Sequence, residues 1–142
     1  MSRYLKQIIV CRNDLSMPRG KLAAMVAHAS MSFILKAFRD TAAWPGDWEN
    51  AFSAEQVRWL TELDPGLEAI GQVSMAKIVC AANSEAELLA LEQAAQAAKV
   101  CVHRVVDSGH SHNPPGTLVC LALGPDWPEK LDPLTGHLKI YR

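Results

Sequence analysis

At 142 residues, with 49% hydrophobic side chains and a formal net charge of −1, the chain has the commonest size for one domain and can close one apolar core. No run approaches the roughly 18 consecutive apolar residues of a membrane span, and Met1-Ser2-Arg3-Tyr4 leads into a short strand rather than a secretory apolar region. A single-domain, soluble, cytoplasmic protein without a membrane partner is expected.

The first element in chain order is an aliphatic run over residues 7–11, with Ile8, Ile9 and Val10 unbroken, which reads as a strand covered on both faces. Pro18 suits the first turn of the helix that follows. Leu22, Val26, Ala29, Phe33 and Ala37 recur at helical spacing as its core stripe, and Lys21, Met25, His28 and Ser32 lie on an adjacent stripe and share one wall. Residues 43–72 are the least legible part. Trp44-Pro45-Gly46 and Asp64-Pro65-Gly66 signal turns around a short helix over residues 55–63.

A second strand is expected over residues 75–82, and Ser84-Glu85-Ala86-Glu87 reads as a capping box opening a helix that ends near Lys99, with Leu88, Leu91, Ala95 and Ala98 buried. Residues 101–106 and 117–123 are a third and fourth strand, joined by a loop too short for a helical crossover. Pro125, Pro128 and Pro133 limit any later helix to a few turns. The fold class is therefore α/β, a three-layer sandwich in which helices flank a mixed sheet of about four strands.

Cys11, Cys80, Cys101 and Cys120 lack C-x-x-C spacing and fall in or beside apolar runs, so they read as small buried residues rather than disulfides. Charge is unevenly spread. Residues 1–42 carry seven Lys/Arg against two acids, whereas residues 43–99 carry three against nine. A basic surface for a phosphate backbone is compatible with the acidic total, as is a solvated face without a partner.

Two segments carry candidate chemistry, each just past the carboxyl end of a strand, where open α/β sheets place their ligand crevice. The first, Arg12-Asn13-Asp14-Leu15-Ser16-Met17, runs into Gly20-Lys21; the second is Asp107-Ser108-Gly109-His110-Ser111-His112. A cation such as Lys21 at a helix amino end is electrostatically disfavoured and needs a reason to be there, and Asp107 closing a strand is either a turn carboxylate or a functional one. Gathered into one crevice, they make a lysine–carboxylate pair. His110 and His112 alternate along an extended loop, and with His28 they outline a weaker metal-binding reading that lacks a recognised ligand spacing.

The pattern Arg12, Asp14-Leu15, Met17, Gly20-Lys21, Ala23-Ala24, His28-Ala29, then Asp107, Gly109, Pro115-Gly116-Thr117, Leu121, Leu123-Gly124-Pro125 and Thr135-Gly136-His137-Leu138-Lys139 resembles the type 2 peptidyl-tRNA hydrolase family over nearly the whole chain. The resemblance implies hydrolysis of the ester joining a peptide, or another N-blocked amino acid, to the terminal ribose of tRNA, without a metal or cofactor. By position it implies catalytic roles for Lys21, Asp107 and Ser111. Asp107 orients or deprotonates water, Lys21 stabilises the developing oxyanion, and Ser111 holds substrate or water. Arg12 and Arg19 are expected to meet phosphates, and Met25, His28, His112 and Thr117 to line the substrate site.

The chain departs from that pattern at four places. The family usually has glutamine at Met25, threonine at Ser111, glutamine at His112 and a hydroxyl at Val119. Two readings besides the hydrolase therefore stand: a catalytically inactive tRNA- or protein-binding module on the same fold, and a metal-assisted hydrolase using His28, His110 and His112. A homodimer through exposed faces of the fourth strand and the carboxyl-terminal segment is also expected.

Overall fold

The computed structural model describes residues 4–40 and 48–142. The expected turn at Trp44-Pro45-Gly46 and the opening residues 1–3 lie outside them. The elements are β1 (Lys6–Arg12), α1 (Arg19–Asp40), α2 (Trp48–Ala51), α3 (Ala54–Thr61), a 3-10 turn at Glu68–Ile70, β2 (Lys77–Ala82), α4 (Glu85–Ala97), β3 (Val102–Val106), β4 (Leu118–Asp126) and α5 (Pro128–Thr135).

The four strands form one mixed sheet in the order β2-β1-β4-β3. β1 runs parallel to β2, from Gln7 opposite Lys77 to Arg12 opposite Ala82, and antiparallel to β4, which is antiparallel to β3. β1, β2 and β3 thus share one direction. The carboxyl ends of β1 and β3 open at the same end of the sheet, and this brings the two chemistry-bearing segments to one place.

The unbroken aliphatic run of β1 is explained by burial on both faces. Ile8 and Val10 face one side with Leu118, Leu121 and Leu123 of β4, beneath Leu88, Leu91 and Ala95 of α4 and Leu131 of α5. Ile9 and Cys11 face the other with Val105, Val119, Cys120 and Ala122, beneath Met25 and Ala29 of α1. Each wholly buried aliphatic side chain here contributes about 1.5–3 kcal/mol through removal from water. The expected α/β sandwich with its mixed sheet is the observed one.

α1 is long and apolar enough, by length and composition, to cross a membrane. In this fold Met25, Ala29, Phe33 and Ala37 are instead its buried stripe. Met25 replaces Leu22 and Val26, both only half-buried, as the first buried residue of the helix. Pro18 lies just outside α1, its carbonyl accepting the N–H of Leu22 at 2.9 Å.

The poorly legible connection is anchored by aromatics. Phe33 packs edge-on against Trp59 of α3 with centroids 5.9 Å apart, and the Trp59 indole N–H donates to the Ala76 carbonyl at 2.9 Å. The reciprocal capping box occurs here, between Ser53 and Gln56. At α4 only half of the expected box forms. Ser84 accepts the Glu87 N–H, but the Glu87 carboxylate takes the N–H of Asn83 rather than that of Ser84.

The expectation that β4 offers exposed faces is overturned. β4 is an interior strand, buried from Leu118 to Pro125, because it inserts between β1 and β3 instead of ending the sheet. The carboxyl-terminal segment lies along the outer side of β2, with Tyr141 N–H bonded to Val79 and Ala81 N–H bonded to Lys139. Exposed apolar side chains gather elsewhere, at Met31, Leu35 and Phe38 of α1.

Candidate active site

Asp107 follows the last residue of β3 on the face shared with Val105, which looks toward α1. The pairing of β3 with β4 shifts register between Val105 and Val106, and Val119 and Cys120 consequently sit consecutively on the same side of the sheet. Such a bulge re-aims the residues at a strand end. The Asp107 N–H bonds the Thr117 carbonyl at 2.9 Å and its carbonyl accepts from Gly116 at 2.8 Å, so the backbone holding the carboxylate is tied to the start of β4.

Lys21 reaches this carboxylate from the first turn of α1. Its Nζ lies 3.0 Å from Asp107 Oδ1, 2.9 Å from Oδ2 and 3.1 Å from Ser111 Oγ. The ion pair answers the adverse helix dipole at Lys21. Asp107 is 2% exposed, whereas Ser111 is exposed and Lys21 lies between. From solvent inward the order is hydroxyl, ammonium, carboxylate.

Two further donors complete the carboxylate's surroundings. Gly109 N–H donates to Oδ1 at 3.0 Å and the buried Asn113 Nδ2 to Oδ2 at 3.1 Å. The Gly109 bond and the Lys21 ammonium, with help from Asn113, hold the Asp107 carboxyl at about 2 against the opposing effect of burial. A carboxylate has about four acceptor positions, and here all are engaged. Gly109 adopts φ +83°, and a Cβ there would meet Pro115 at 2.5 Å, so the turn demands glycine.

The remaining expected site residues are dispersed. Met25 is buried beside Met17, Cys11 and Val119, so two of the departures from the family pattern, Met25 and Val119, share one apolar cluster and leave no orphaned polar partner between them. Thr117 turns its hydroxyl to the Pro114 carbonyl. His112, at φ +52°, places Nε2 2.7 Å from the Leu15 carbonyl and so ties the second loop to the first. His28 is exposed on α1, where its carbonyl accepts from Ser32. His28, His110 and His112 form no metal-binding group, and the described residues contain no cluster of three potential ligands.

The expected basic surface is mostly neutralised internally. Arg12 donates to both Asp14 oxygens at 3.0 and 2.7 Å and to the Leu118 carbonyl at 3.2 Å, with Glu85 at 3.8 Å, so it clamps loops rather than standing as a free cation. These contacts push the Arg12 guanidinium up and hold Asp14 below the usual carboxylate range. Lys6 pairs with Asp132 and Lys36 with Asp40. Arg19 and Arg39 make no ion pair among the described residues, and Arg19 opens the helix that carries Lys21.

Asn113 carries no signal in the sequence that would mark it for the site. An asparagine before Pro114-Pro115 reads as a turn former, and only the fold shows its amide turned inward onto Asp107.

An ammonium held between a buried carboxylate and an exposed hydroxyl, at the carboxyl edge of an α/β sheet, is equipment for stabilising an oxyanion, as the hydrolysis of an ester requires. The chain's relatives carry this further. The family described as "Peptidyl-tRNA hydrolase PTH2" matches residues 5–141, and the chain belongs to that family. It is 37% identical over 137 residues to the peptidyl-tRNA hydrolase of Nanoarchaeum equitans, covering 96% of this chain and 99% of the relative. It is 36% identical over 140 residues to that of Thermococcus onnurineus, covering 99% of each. A probable peptidyl-tRNA hydrolase 2 of Dictyostelium discoideum is 35% identical over 136 residues, covering 96% of this chain and 54% of the relative.

Proposed function

We propose that the protein hydrolyses the ester of peptidyl-tRNA, or of another N-blocked aminoacyl-tRNA, and releases free tRNA by means of its own side chains without a metal. The observation that carries this reading is Lys21 Nζ within hydrogen-bond reach of both Asp107 and Ser111. Its three hydrogens have three acceptors in the free protein. An ester carbonyl must displace one of them, and that exchange places the ammonium on the oxygen where negative charge develops while freeing an acceptor for the attacking water.

Water then adds to the acyl carbon and gives up a proton, the bond to the ribose oxygen breaks, and the ribose oxygen takes that proton and leaves as a hydroxyl. A carboxyl held at about 2 is a weak general base near neutral pH, so Asp107 serves to orient water and to hold Lys21 in place rather than to take a proton strongly. Ser111, whose hydroxyl hydrogen is not used in accepting from Lys21, donates to substrate or water.

The test is release of an N-blocked amino acid from tRNA by the wild type, by Lys21→Ala and by Asp107→Ala. Loss of turnover in both variants supports the reading; turnover equal in all three ends it. The inactive binding module predicts the second result. The proposed homodimer uses the outer face of α1 at Met31, Leu35 and Phe38 rather than the buried β4, and light scattering of Leu35→Glu against wild type tests this.

A further inference from the structure

We propose that Asn113 is a positioning residue for the hydrolytic step, binding Asp107 through its side chain and Ser111 through its backbone so that both stay within reach of Lys21. The inference rests on the reading of Lys21, Asp107 and Ser111 as the reacting group, and it concerns a buried residue that acts through Asp107 and Ser111.

Its geometry separates Asn113 from ordinary loop residues. Asn113 is 6% exposed in a loop whose other members at 110, 111, 112, 114 and 115 are exposed. The side chain donates from Nδ2 to Asp107 Oδ2 at 3.1 Å, and the backbone N–H donates to the Ser111 carbonyl at 2.6 Å. One residue thus links the carboxylate at the floor of the site to the hydroxyl-bearing residue at its mouth. Lys21 spans the same two groups from α1, on the solvent side. The carboxylate and the hydroxyl are held from both directions.

The amide also selects the orientation of the carboxylate. Gly109 N–H engages Oδ1 and Asn113 engages Oδ2, so the plane of the Asp107 carboxyl is set by two donors of its own loop before Lys21 binds. Without Asn113, Oδ2 retains Lys21 alone, and only Gly109 of its own loop still fixes the plane of the carboxyl. A misplacement of about 1 Å at a reacting centre costs on the order of a hundredfold in rate. Among the described residues the charged group touching Asp107 is Lys21 of α1, and the Gly109 N–H and the Asn113 amide of its own loop are the uncharged share of what keeps the group ionised, Gly109 the larger.

Asn113→Leu removes the donor, and Asn113→Asp keeps the shape while setting a second carboxyl against Asp107. The Asp107 carboxyl is followed by carbon-13 NMR titration in each folded variant, and kcat and KM are measured on N-blocked aminoacyl-tRNA. The expected result is an upward movement of the Asp107 titration in Asn113→Leu, by less than about one pH unit because the Gly109 and Lys21 donors remain, and a larger upward movement in Asn113→Asp, where a second carboxyl faces it. With it, kcat falls about tenfold or more while KM changes less than about threefold. An Asp107 titration identical to wild type in either folded variant overturns the proposal, as does an effect confined to KM with kcat unchanged. Should the wild type itself fail to turn over, the hydrolytic reading falls, and the titration alone then decides whether Asn113 holds the carboxylate.

Discussion

Lys21 and Asp107 stand 86 residues apart in the chain, and their side chains meet with the ammonium 2.9 Å from one carboxylate oxygen and 3.0 Å from the other. The carboxyl is buried, and among the described residues this lysine is the counter-charge in contact with it, so each partner needs the other. Substituting Lys21→Met is expected to lower Tm and to reduce kcat at least about a hundredfold. Thermal unfolding and single-turnover kinetics on the same preparation check both.

The pH dependence of stability follows from the same pair. The folded carboxyl titrates at about 2, below its ordinary 3.8, so it contributes stability that is complete above the ordinary value and is lost as pH falls toward 2. Asp107→Asn is therefore expected to flatten the stability profile between about pH 4 and pH 2 relative to wild type. Urea midpoints measured at half-unit steps across that window would show it, and parallel profiles would contradict it.

At Gly109 a methyl group would collide with the ring and backbone of Pro115 in a conformation that L side chains rarely adopt. Gly109→Ala is expected to displace the turn, break the N–H bond to Asp107 and raise that carboxyl's titration, with kcat reduced about tenfold or more, on the order of other oriented-group effects. A variant retaining wild-type kcat would show that the turn tolerates the shift.

Arg12 and Arg19 are expected to behave differently toward tRNA. Arg19→Met should weaken binding and reduce the slope of log affinity against log salt by about 0.7–0.9, the change that follows when one fewer phosphate is neutralised. Arg12→Met should leave that slope unchanged and lower Tm, because its guanidinium holds Asp14 and the Leu118 carbonyl. Salt titrations of both variants distinguish the two roles.

The thiols of Cys11 and Cys120 lie 2.7 Å apart across the β1–β4 pair, and their proximity and burial push Cys120 strongly up. Alkylation of the native protein is expected at the partly exposed Cys101 first, with Cys11 and Cys120 reacting only on unfolding. Mass spectrometry of a labelling time course reads this directly.

Much of the architecture is legible in the sequence because its signals are local. Ile8 to Val10 reads as a strand covered on both sides, and Leu88, Leu91 and Ala95 keep helical spacing whatever they pack on. Lys21 and Asp107 are marked by oddity: a cation where a helix disfavours one, and an acid closing a strand. Helical spacing alone puts Met25 on the site wall, because its stripe and the core stripe differ by a small rotation that only packing against Met17 and Val119 resolves. The basic excess misleads for a related reason, since counting charges along the chain cannot reveal that Asp132 or Glu85 folds back onto Lys6 or Arg12.

Periodicity, turn residues and the order of short motifs are properties of neighbouring residues, and they settled by themselves the alternation of strands and helices, the mixed sheet and the family. Contacts between distant segments obey no such spacing. The insertion of β4 between β1 and β3, the bulge that aims Asp107, and the inward turn of Asn113 were decided by tertiary structure alone, because each is the outcome of packing and hydrogen-bond satisfaction summed over the whole fold.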